Sequence, residues 1–118
     1  MRAFVAAVAV MAVSAAAAGE IDEARRQAVA GRDSYWNCLA REYARDRHNG
    51  ASGQEFTALL VGACPSERQN FRVTLVNYLS LQFPSDDPGA HIATANNAIA
   101  SAQKEIVTAF VNHAAAPK

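Results

Sequence analysis

The apolar positions of this chain fall almost everywhere at helical spacing. From Glu20 to His48, Val29, Trp36 and Tyr43 recur every seven residues with Leu39 between them, one stripe of a helix. Gly31 interrupts the stripe and costs about 1 kcal/mol relative to Ala. The helix therefore either continues through Gly31 or divides there, with Asp33 or Ser34 capping the second part. "HNGASG" ends the segment, because Asn49 and Gly50 tolerate left-handed backbone. Ser52-Gly-Gln-Glu55 matches a capping box and opens a helix expected to carry Phe56, Leu59 and Leu60 inward. Pro65 stops that helix, and Ser66-Glu-Arg-Gln69 reads as a second capping box.

The helix that follows is apolar nearly all round between Phe71 and Phe83, which places it centrally, with Leu75 and Leu79 nearly inaccessible. "FPSDDPG" breaks it, and Asp87 before Pro88 reads as a cap with proline in the first helical position. In the last helix Ile92, Ile99 and Ile106 lie seven apart, with Ala95, Ala102 and Phe110 on the same stripe. No strand-like alternation and no internal repeat is visible. The expected fold is all-α: a small bundle of about four main helices. Its expected core holds Trp36, Leu39, Tyr43, Leu59, Phe71, Leu75, Leu79, Ile99, Ile106 and Phe110.

The N-terminus adds a compartment. Arg2 precedes an apolar run from Ala3 to Val13, and small residues follow from Ala15 to Ala18. This is the order of a secretory signal peptide, with cleavage expected after Ala16 or Ala18. The run is shorter than the roughly 20 residues of a membrane span, so no stable membrane insertion is expected after cleavage. The expected organisation is a signal peptide at 1–18, a helical domain at 19–113 and a fraying tail at 114–118. Without Arg2 the chain holds ten Lys and Arg against eleven Asp and Glu, a balance that favours no nucleic-acid partner. Six of each sign crowd into residues 20–48, whereas 69–118 hold three of each.

Export gives the two cysteines a meaning. The midpoint between Cys38 and Cys64 is residue 51, inside the turn of a helical hairpin. Residues equidistant from such a turn lie at the same height, so the pair is expected to form a disulfide. It closes a loop of about 27 residues, worth roughly 3–4 kcal/mol by chain entropy.

The remaining chemistry is sparse. His48, His91 and His113 share no metal-ligand spacing, and Asp87, four residues before His91, is better used as a cap. Paired carboxylates such as Asp22–Glu23 and Asp86–Asp87 stand at element starts, where negative charge suits the helix dipole. Ser34, Ser52, Ser66 and Ser85 lack a G-x-S-x-G context, and "NGASG" lacks the lysine of a phosphate loop. Arg41, Arg45 and Arg47 with Glu42 and Asp46 read as a solvated helix face. Asn70, Asn77, Asn96 and Asn97 face solvent or a partner. No catalytic residue, cofactor site or metal site is assigned.

With its signal peptide, "YWNCL" and "ACPSERQNF", the chain resembles small exported two-cysteine helical proteins of Gram-negative bacteria. In outline it is also similar to periplasmic acid-stress chaperones and to immunity proteins against secreted toxins. The resemblance implies a periplasmic or secreted protein and brings no activity with it. The expected function is non-catalytic binding or structure, with a protein partner whose identity the residues leave open. The competing readings are an acid-stress chaperone, an immunity protein and, from another class, a small hydrolase.

Overall fold

A computed structural model of the chain describes residues 2–45 and 50–115, with side chains described from 17 to 45 and from 50 to 113. His48 and its neighbours Asp46, Arg47 and Asn49 lie outside the described residues, as do 116–118 and the side chains of the apolar N-terminal run. The described residues form four helices and no strand: α1 (Arg2–Tyr43), α2 (Gly53–Gly62), α3 (Pro65–Gln82) and α4 (Pro88–Ala115). The all-α bundle with one disulfide is thus the fold. α4 runs two residues beyond His113, where the sequence reading ended the domain.

α1 is continuous through Gly31. Gly31 is buried, and a Cβ built on it would lie 2.8 Å from Thr74 Oγ1 and 3.2 Å from the Phe71 Cα of α3. The glycine is there to let two backbones approach, and neither Asp33 nor Ser34 starts a helix. The buried row of α1 is Ala24, Ala28, Gly31, Tyr35 and Leu39: Leu39 is buried as the stripe places it, whereas Ala28 and Tyr35 stand one position before Val29 and Trp36. Small residues at its head allow α1 to sit close on α3. Val29 is consequently left 41% exposed, and Trp36 and Tyr43 flank the row, half-buried against the core. A helix turns about 100° per residue, so a one-residue shift of the row moves Val29 out of the interface.

The pairs Cys38–Cys64, Tyr35–Phe71 and Gly31–Thr74 fix α1 and α3 as antiparallel neighbours. Arg72–Asn96 and Phe83–His91 do the same for α3 and α4. These three helices form the body of the bundle. α2 is short and caps one end, with Phe56 stacked on Phe110 of α4 at 4.0 Å between centroids and Tyr43 edge-on to both rings. Such aromatic pairs contribute about 0.5–1.5 kcal/mol beyond their buried area.

Several expectations about burial are corrected here. Phe56 and Leu60 are almost fully buried, but Leu59 is 47% exposed. α2 rests on one side only, so its interior stripe is too narrow to include Leu59. In α3 only Phe71 is buried, while Leu75 and Leu79 are half-buried. Three long helices cannot enclose one of their own number, and α2 is spent at the end of the bundle. In α4 Ala95, Ile99 and Ala102 are buried and Ile106 and Phe110 partly so, whereas Ile92 is 49% exposed. A straight helix drifts about 20° per heptad against a seven-residue repeat, which carries Ile92 to the edge. His91 enters in its place.

The caps follow the same division. Ser52 and Glu55 form the capping box reciprocally. Ser66 does not cap α3: the helix begins at Pro65, behind Cys64 in the left-handed region (φ 54°) with no side-chain cap bond. The disulfide holds Cys64 at that point, so the chain turns there, two residues earlier than the Ser66 pattern indicates.

Candidate functional site

Phe71 directs α3 onto Tyr35 of α1, at 6.4 Å between ring centroids. Counting about 100° per residue, Leu75 lies within about 40° of Phe71 and packs on the core. Val73 and Val76 lie about 200° and 140° away, on the opposite side. A helix that is apolar nearly all round and covered on two sides must present the rest to water. Val73 is 55% exposed for this reason.

Val73 and Val76 do not stand alone. With Ile92 of α4 they line an open groove of about 460 Å³ between α3 and α4, whose other walls are Arg72, Asn77 and Ser80. Phe83, 47% exposed, ends α3 nearby in sequence. A larger hollow of about 580 Å³ is bounded by Ser101, Lys104, Glu105, Thr108, Ala109 and Asn112, all on the outer face of α4 with no second wall. The α3–α4 groove takes five lining residues from α3 and Ile92 from α4, and its surface is the more apolar of the two, which makes it the better candidate for recognition.

Two polar contacts hold those walls. His91 is 5% exposed, and its Nε2 lies 3.1 Å from the carbonyl oxygen of Phe83. A carbonyl only accepts, so Nε2 carries the proton. The bond fixes the start of α4 against the end of α3 and thereby sets where Ile92 projects. Arg72 donates from Nε to Asn96 Oδ1 at 2.9 Å and from a terminal nitrogen to Gln69 Oε1 at 2.5 Å. Both acceptors are neutral amides. The guanidinium charge at the groove rim is therefore paired with no carboxylate among the described residues.

The asparagines divide accordingly. Asn96 orients Arg72, Asn77 lines the groove, and Asn70 lines a smaller hollow of about 250 Å³ where α1 crosses α3 at Gly31. Asn97 is exposed. Arg41 near the end of α1 is exposed, and Arg45, two residues beyond that helix, is exposed and pairs at 3.3 Å with Glu42, which is half-buried instead of solvated. Farther up α1, exposed Glu23 accepts from Arg26, which holds its carboxyl below the ordinary glutamate range.

The groove offers one cation, an amide, a hydroxyl and three aliphatic side chains, an inventory for binding. Sequence reasoning missed it because Ile92 carried the phase of the core stripe. One signal was available: α3 has more apolar circumference than two neighbours can cover. The cysteines are joined as expected, with Cα atoms 6.1 Å apart. They meet because α3 begins opposite Cys38, and the hairpin of α1 with α2 is not the packing that brings them together. Among the described residues the one group with metal-ligand proximity is Cys38, Cys64 and Glu67, whose donor atoms lie within 4.8 Å of one another. No helix among the described residues is long and apolar enough to cross a membrane. Compared with known protein families, curated proteins and solved structures, the chain matches none.

Proposed function

We propose that the mature chain is an exported, non-catalytic binding protein that engages a protein partner through the α3–α4 groove. The observation that carries this reading is the apolar floor of exposed Val73 and Ile92 and half-buried Val76 beside a guanidinium without a carboxylate. Apolar side chains gathered in one open groove mark interaction sites more often than scattered surface residues do. The complementary partner presents aliphatic or aromatic side chains flanked by a carboxylate that reaches Arg72. Export rests on the order of charged, apolar and small residues at the N-terminus, and the cross-linked cysteines are compatible with an oxidising compartment.

The test is photo-crosslinking in the native compartment from a probe placed at Val76. A discrete adduct is expected, lost on Val73→Asp or Arg72→Glu and retained on Val29→Asp, which alters a separate exposed apolar position on α1. An adduct indifferent to both groove variants would refute the site. Substrate turnover by the purified domain, lost on Ser80→Ala, would return the hydrolase reading. Suppression of client aggregation at acid pH would return the chaperone reading.

A further inference from the structure

Glu67 stands three residues after Cys64, in the first turn of α3, which brings its carboxylate back over the cap position. Its oxygen and the two cysteine sulfurs all lie within 4.8 Å of one another. The carboxylate is half-buried and has no hydrogen bond or ion pair with any other described residue. In Ser52-Gly-Gln-Glu55 the third-position glutamate is used to close a capping box; here the equivalent glutamate turns to the sulfurs. A half-buried acid beside a disulfide contributes no bond that the oxidised protein uses.

We infer that in its dithiol form the chain binds a thiophilic divalent cation such as Zn²⁺ through Cys38, Cys64 and Glu67. The three donors match what such an ion takes: two thiolates, one carboxylate, and a water in the fourth position. Zinc bonds of about 2.3 Å to sulfur and 2.0–2.2 Å to oxygen place tetrahedral donors roughly 3.5–3.8 Å apart. The group therefore needs a rearrangement of one or two ångströms, and the antiparallel packing of α1 on α3 keeps both cysteines in place for it. Two thiolates and a carboxylate overcompensate the ion by one negative charge. That charge faces the positive end of the 18-residue α3, a placement that favours thiolates. Arg68 lies in the same turn, donating to the carbonyls of Val61 and Ala63.

The chemistry balances through an external reductant, a dithiol or a phosphine. Two electrons and two protons cleave the S–S bond to two thiols while the reductant is oxidised. Metal binding then forms two metal–sulfur bonds and releases those two protons, so affinity rises with pH. The metal closes the same loop as the disulfide and serves as its substitute where the thiols are kept reduced.

The experiment titrates Co²⁺ into the protein held reduced by a phosphine. A thiolate-to-cobalt charge-transfer band saturating at one metal per chain is expected, bleached by added Zn²⁺. The oxidised protein should give none. Zn²⁺ should raise the melting temperature of the reduced protein and leave that of the oxidised protein unchanged. Glu67→Gln keeps the disulfide, so its fold can be checked by circular dichroism in the oxidised form. Reduced again, it should bind about tenfold more weakly or worse. Absence of the band at excess cobalt, a stoichiometry of two chains per metal, or unchanged affinity in Glu67→Gln would each overturn the assignment.

Discussion

Replacing Gly31 by alanine pits two opposed effects against each other. In a solvent-facing helix the change stabilises by about 0.8–1 kcal/mol, because glycine loses more backbone freedom on folding. At this position the new methyl would meet Thr74 Oγ1 at 2.8 Å and the Phe71 Cα at 3.2 Å. Thr74 cannot turn away without loss, since its hydroxyl donates to Asn70 O at 2.8 Å and lies 3.2 Å from Phe71 O. The second obstacle is backbone, so α1 and α3 must part by a few tenths of an ångström along their contact. Overpacking of that kind costs about 1–3 kcal/mol. The net expectation for Gly31→Ala is a destabilisation of about 0.5–2 kcal/mol, read as a lower urea midpoint at unchanged slope by far-ultraviolet circular dichroism. Adding Thr74→Ala removes the nearer obstacle, so the double variant should lose less than the two single losses summed. A Gly31→Ala protein as stable as the parent, or more so, would show that the helices do not touch here.

Three further outcomes are expected. Leu60→Ala should cost about 2–5 kcal/mol in the same assay and Leu59→Ala less than about 1, a contrast that would vanish if α2 were turned the other way. Reducing the Cys38–Cys64 bond should lower stability by roughly 3–4 kcal/mol, and a loss under about 1 would mean that the reduced chain keeps the same constraint without added metal. Because Arg26 depresses the folded-state pKa of Glu23, its contribution is present above the unfolded value and fades as pH falls through the folded one. Carbon-detected titration should place Glu23 lower than in Arg26→Gln, and identical midpoints would dissolve the pair.

Sequence reasoning reaches what depends on neighbours along the chain. The helical period, the Ser52–Glu55 capping box, the stop before Pro65 and the proline start at Pro88 are local, and each stands in the structure. The disulfide pair was legible because parity and spacing leave two cysteines one partner each. What counting could not supply is rotation about a helix axis. The stripe of Val29, Trp36, Leu39 and Tyr43 and the observed row of Ala28, Gly31, Tyr35 and Leu39 share Leu39 but otherwise stand one position apart at Ala28 and Tyr35, and both have helical period. Bulk favours the first. Only contact with α3 shows that close approach, with alanine and glycine at the crossing, wins. The same holds for His91, which a hydropathy pattern puts outside and a carbonyl at the end of α3 draws inside. The tertiary structure likewise decides that α3 has two covering neighbours instead of three. Val73 and Ile92 are therefore surface, with Val76 half-buried beside them, and a fourth long helix laid over them would have made them core.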